Sequence, residues 1–247
     1  MPLSLEAVPQ AGPFAAAFVL FDLDGTLVDT APDLAYCVDG MLESLGLPAR
    51  GEACVRLWIG NGAERLVKRA LTGDLHGEPE PELFARAFSR FNALYHQHTA
   101  QASRPYPGVV EALDQLVSAN LHLGCVTNKP RVFSKKLLDA LKLSGYLGTL
   151  VCGDDVGYKK PHPLPLIQAA QNLGFAPELG VMVGDSKSDV RAARAAGMPV
   201  ICVSFGYNHG ESVAIYDPDA VIASFGELPA MLQLHTSGPH AGVRESG

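Results

Sequence analysis

Phe18-Val19-Leu20-Phe21 is a four-residue apolar run that stops on Asp22-Leu23-Asp24-Gly25-Thr26. A run so short and apolar reads as a buried strand, and Gly-Thr after it is turn and cap chemistry. The two carboxylates at its end lie side by side, and both stay ionised cheaply only if a cation or a shared proton relieves them. Mg2+ suits such a pair, because a hard dication is commonly held by one or two carboxylates together with a substrate phosphate. Two aspartates in unequal surroundings can also divide labour: one acts as nucleophile, the other protonates a leaving oxygen and later activates water. D-x-D-G-T arises by chance in about a few per thousand chains of this length. An acidic surface turn, the bland alternative, leaves unexplained why two aspartates close an apolar strand.

From Leu121 onward strand and helix patterns alternate. Strands are expected at Leu121–Val126, Leu150–Cys152, Val181–Val183 and Val200–Val203, with helices at Val132–Leu141, Pro163–Leu173 and Asp189–Ala196 between or beside them. That order predicts an α/β fold with a Rossmann-like parallel sheet, whose ligands sit off the carboxyl ends of the strands. Polar groups gather there: Thr127-Asn128 after the second strand, Lys159-Lys160-Pro161 after the third, and Asp185 and Asp189 after the fourth. Residues 31–104 read differently, as helices at 31–45, 54–58, 63–71 and 82–98. Thr30 is expected to cap the first of these, with Pro32 near its first turn. The division expected is a core of residues 15–30 and 105–234, an all-helical insertion of 31–104, and unstructured ends at 1–14 and 235–247.

Asp22-Leu-Asp24-Gly-Thr26, Thr127-Asn128, Lys160 before Pro161, and Asp185 with Asp189 together resemble the four ordered motifs of the haloacid dehalogenase superfamily. The resemblance implies a core of this superfamily's fold, HAD-like, with the helical insertion as its cap. It further implies that Asp22 becomes phosphorylated and that Asp24 is the general acid/base and gives a backbone carbonyl to Mg2+. Thr127 and Asn128 would hold phosphoryl oxygens, and Lys160 would place an ammonium against aspartate and phosphate. Spacing alone does not separate Lys160 from Lys159; the family's lysine commonly precedes proline. Asp185 would ligate the metal directly, and Asp189 would bind it through water or support the ligands from behind, helix capping being the ordinary role for either.

The chain has 247 residues, a formal net charge of −7 and no long run of Lys or Arg, which argues against nucleic acid or an anionic membrane as partner. The partner expected is a small anionic phosphate ester, with self-association into a homo-oligomer left open. Five scattered cysteines without C-x-x-C spacing read as reduced, core-packing thiols of a cytoplasmic protein. The eight histidines lack zinc-site spacing. Neither a signal peptide nor a membrane anchor is expected at the start.

In this superfamily the cap usually selects the substrate. Gly60-Asn61-Gly62 ahead of a helix offers free backbone N–H groups suited to a small carboxylate, although a plain capping turn has the same composition. Trp58-Ile-Gly-Asn-Gly62, Lys159-Lys-Pro-His-Pro163 and Phe205-Gly-Tyr-Asn208 resemble the superfamily's bacterial phosphatases of 2-phosphoglycolate. Arg56, Arg65 and Lys68 are the candidate carboxylate partners. A sugar-phosphate phosphatase, a phosphosugar mutase and a non-catalytic phosphate-binding regulator are the alternatives.

Overall fold

The computed structural model describes residues 13–234; the end expected over 235–247, and all but the last two residues of that expected over 1–14, lie outside the described residues. In chain order the elements are β1 (Phe14–Ala16), β2 (Phe18–Phe21), β3 (Val28–Asp29), α1 (Ala31–Ser44), α2 (Gly51–Trp58), α3 (Ala63–Thr72), α4 (Pro81–His98) and β4 (Arg104–Pro105). There follow α5 (Val109–Ser118), β5 (His122–Val126), α6 (Arg131–Ala140), β6 (Thr149–Val151), α7 (Leu164–Leu173), β7 (Gly180–Gly184), α8 (Lys187–Ala196), β8 (Val200–Val203), β9 (Ala220–Ile222) and β10 (Leu232–Leu234). Phe14, assigned by sequence to the unstructured start, instead heads β1 and pairs with Leu232 of β10. These two short strands show little alternation, so their pairing is a tertiary outcome rather than a local pattern.

Six strands form one parallel sheet in the order β6-β5-β2-β7-β8-β9. β2 lies inside it, with Phe21 in register with Cys125 of β5 and Val183 of β7. The carboxyl ends of these three strands therefore finish almost level, and the residues after them meet. All four side chains of β2 are fully buried. Val19 and Phe21 pack on one face with Leu113, Leu116 and Phe225, while Phe18 and Leu20 pack on the other with Leu166 and Ala169. Burial on both faces explains a strand without polar alternation, and each such side chain contributes about 1.5–3 kcal/mol.

The helices α1 to α4 enclose a separate apolar cluster containing Val38, Met41, Val67, Phe91 and Tyr95, against which Phe133 of α6 and Tyr207 also pack. The chain leaves and returns through an antiparallel pairing of β3 with β4, Asp29 opposite Arg104. Asp33 fixes the return: its carboxylate accepts from the Ala102 and Ser103 N–H groups and the Ser103 hydroxyl. Thr30 occupies the N-cap of α1, but its side chain makes no capping bond. The Tyr207 hydroxyl, arriving from the loop after β8, accepts from the N–H groups of Thr30 and Ala31 instead, each at 3.0 Å. Cys37, Cys125, Cys152 and Cys202 are buried, whereas Cys54 is exposed and packs no core. Among the described residues, no helix is long and apolar enough to cross a membrane.

Candidate active site

Asp22 follows the last residue of β2, its backbone N–H donating to Val183 O at 2.9 Å and its side chain accepting from the N–H of Leu23. The strand thus fixes where its carboxylate points. Asp24, two residues on, accepts from the Lys129 ammonium at 2.7 Å. Its carboxylate is not one of the three in the cluster that Asp22 joins. Gly25 has φ +86°, and a Cβ there would stand 2.3 Å from an Asp185 oxygen, so the turn tolerates only glycine.

The structure separates the two lysines. Lys160 is buried; its ammonium pairs with Asp22 at 2.8 Å and Asp189 at 2.7 Å and donates to Val126 O. Lys159 is exposed. Asn128 lines the same cavity as Asp22 and Asp24, and its side chain accepts from the Lys160 N–H at 2.9 Å and donates to the Lys160 carbonyl at 3.0 Å, which leaves its backbone N–H as the group for a phosphoryl oxygen. It thereby fixes the backbone that carries the lysine. The Thr127 hydroxyl accepts from the Lys129 N–H and lines the same cavity as Asp22 and Asp24, retaining its own proton to donate.

Asp185 and Asp189 bracket the start of α8. Thr26 donates to one Asp185 oxygen at 3.0 Å and the Tyr207 N–H to the other. Asp189 is fully buried and doubly engaged. One oxygen accepts from Lys160, and the other from the Ser186 N–H and hydroxyl in a capping box. The helix-capping role and the site role are thus the same set of bonds.

Oxygens of Asp22, Asp185 and Asp189 lie within 4.8 Å of one another. Burial, countered by Lys160 and reinforced by Asp189 and Asp24, pushes the Asp22 carboxyl up to about 7. Burial and the charges of Asp189 and Asp22 likewise hold Asp185 well above its ordinary value. Lys160 stays charged despite burial because Asp189 and Asp22 face it. Three carboxylates against one ammonium leave negative charge uncompensated, and an all-oxygen donor set of this kind fits a hard divalent cation.

A cavity of about 40 Å3 opens beside Asp22 and Asp24, lined also by Ile59, Gly60, Gly62, Ala63, Tyr95, Thr127, Lys129 and Phe133. It exceeds the roughly 10–15 Å3 one water needs but is far below a drug-sized pocket. Gly60 and Gly62 are on its wall; Asn61 is not, because its side-chain oxygen accepts from Arg69 at 2.7 Å. Arg56 is paired with Asp29 and Glu52, and Arg65 and Lys68 with Glu78, so none of the three candidate cations lines the cavity. Sequence reasoning missed Lys129, although it directly follows Thr127-Asn128 at a strand end. It also missed Tyr95, whose helical spacing marks it only as core.

Residues 19–203 match the model of the haloacid dehalogenase-like hydrolases, and the chain belongs to that family. A phosphoglycolate phosphatase of Nitrosococcus oceani is 50% identical to it over 87% of this chain and 95% of that one. A second, from Thiobacillus denitrificans, is 44% identical over 89% and 97%. Among solved structures, a predicted phosphoglycolate phosphatase of Haemophilus somnus 129pt superposes with a TM-score of 0.82 at 33% identity, covering 88% of this chain and 98% of that one.

Proposed function

We propose that this enzyme hydrolyses 2-phosphoglycolate to glycolate and phosphate through a phosphorylated Asp22. The observation that carries the reaction is the set of Asp22, Lys160, Asp185 and Asp189 on adjoining strand ends, with Asp24 held beside them by a different cation. The names of near full-length relatives and the small cavity support the substrate. Asp22 attacks phosphorus while the ester oxygen leaves opposite it, and Asp24 gives that oxygen its proton. Asp24 then takes a proton from the water that attacks the aspartyl phosphate, releasing phosphate and restoring Asp22. Lys160 and the Thr127 hydroxyl face the phosphoryl oxygens. Asp22 and Asp185, the Asp24 carbonyl and, through water, Asp189 would hold Mg2+, which when bound neutralises charge on the phosphoryl group.

The helices of residues 31–104 act as a cap that keeps bulk water from the intermediate. Buried, unpaired cysteines fit a reducing compartment, and we place the enzyme in the cytoplasm. The test is phosphate release with Mg2+ from 2-phosphoglycolate, sugar phosphates and an aryl phosphate, with Asp22→Asn as control. Expected is a preference of about a hundredfold in kcat/KM for 2-phosphoglycolate. A flat profile lost in the variant refutes the substrate alone; activity surviving in Asp22→Asn refutes the mechanism.

A further inference from the structure

Lys129 belongs to none of the motif positions, yet its side chain is only 5% exposed and faces the cavity between core and helices. Among the described lining residues it is the only cation. Burial opposes its charge, and the Asp24 carboxylate 2.7 Å away maintains it. Its ammonium also stands 5.0 Å over the ring of Tyr95 on α4. An ammonium has three donors, and Asp24 occupies one. Tyr95 lines the same cavity, and its hydroxyl is buried without a hydrogen-bond partner. Burial keeps this phenol protonated, so it is a donor awaiting an acceptor. The first turn of α3 also reaches the cavity at Gly62 and Ala63, and no side chain caps its N–H groups.

An ammonium, a phenol and an uncapped helix start are all donors, and together they define a subsite for a small anion. Its position beside Asp24 says which anion. Asp24 serves the ester oxygen, and in a phosphorylated two-carbon acid the carboxylate carbon is two bonds beyond that oxygen. We propose that Lys129 and Tyr95 take the carboxylate of the leaving group, Lys129 at the same time keeping Asp24 beside the oxygen it protonates. This rests on the reading of the substrate as 2-phosphoglycolate. It also explains why Arg56, Arg65 and Lys68 can be paired with Asp29, Glu52 and Glu78: the carboxylate's cation comes from the loop after β5.

The experiment compares 2-phosphoglycolate with ethyl phosphate, the same ester with a methyl in place of the carboxylate, in the wild type, Lys129→Met and Tyr95→Phe. Because Lys129 also touches Asp24, both esters lose kcat in the first variant, and the ratio of their kcat/KM values isolates the carboxylate. That ratio should be about a hundredfold in the wild type, fall at least about thirtyfold in Lys129→Met and about three- to tenfold in Tyr95→Phe, with the loss in KM for 2-phosphoglycolate. A wild-type ratio retained in both variants overturns the subsite and leaves the substrate reading standing. A wild-type ratio near one refutes the substrate reading and the subsite with it. Should Lys129→Met fail to fold, Tyr95→Phe decides, since it removes one oxygen from a packed ring: an unchanged ratio there overturns the proposal.

Discussion

Mg2+ affinity should weaken steeply as pH falls below neutrality. The Asp22 carboxyl stands at about 7 in the metal-free fold, against 3.8 for an unperturbed aspartate, with burial the largest cause. Between those values the folded protein binds a proton that the unfolded chain releases. On this group's account, the metal-free fold is favoured below the unfolded value and loses that contribution as pH rises through the folded one. A rise of about three pKa units corresponds to about 4 kcal/mol. A dication entering the cluster must displace this proton. The apparent Kd for Mg2+ should therefore rise about tenfold per pH unit below 7 and reach about a hundredfold at pH 5. The slope steepens if the Asp185 proton, also held by burial and by Asp189 and Asp22, leaves with it.

Calorimetric titration of the metal-free protein with Mg2+ at several pH values measures the slope, and buffers of different ionisation enthalpy count the protons released. Stabilisation by a fixed Mg2+ concentration should shrink in parallel in thermal melts. A Kd constant within about threefold over the same range, with no proton release, would refute the account of an over-acidic, under-compensated cluster.

Three further outcomes follow from the same site. Asp22→Asn should lower phosphate release by at least about a thousandfold, yet melt no lower than the wild type without metal, because it removes one of three crowded buried carboxylates. Lys160→Met should cost about 3–5 kcal/mol in urea unfolding of the metal-free protein at about pH 8, above the Asp22 value, as it strands Asp22 and Asp189 without their cation; a loss below about 1 kcal/mol would mean that the variant takes up a further proton in the cation's place. Gly25→Ala places a methyl group 2.3 Å from the Asp185 carboxylate at φ +86° and should weaken Mg2+ binding by at least about tenfold, read by the same calorimetry.

Asp22, Asp24 and Asp185 are legible in the sequence because each falls at or just past the stop of an apolar run, and a parallel sheet brings such ends together; Lys160 and Asp189 are legible only through their motifs, one lying in the loop after β6 and the other in the first turn of α8. What the sequence hides is partnership. Arg56, Arg65 and Lys68 look like free cations until α2 and α3 fold back and give them Asp29, Glu52 and Glu78. Asn61 looks like a ligand group until its side chain is found on Arg69. Tyr207 is invisible as a helix cap because Thr30 lies 177 residues away. Strand ends are set by local pattern, while the use of a long side chain is set by which distant element arrives beside it.

That difference bears on how the molecule selects a substrate. Arg56, Arg65 and Lys68 of α2 and α3 are paired with acids and none of them lines the cavity, so what α2 to α4 bring to it is a glycine turn, apolar walls and Tyr95 with its unpartnered hydroxyl. The positive charge beside that hydroxyl comes from the loop after β5. Neither part alone assembles the proposed carboxylate subsite. The Lys129 ammonium that meets Tyr95 of α4 also pairs with Asp24, so in the proposed subsite recognition of the acid and placement of the Asp24 carboxyl share one side chain. A phosphate ester lacking the carboxylate would leave the Lys129 ammonium and the Tyr95 hydroxyl without the acceptor that this subsite provides for.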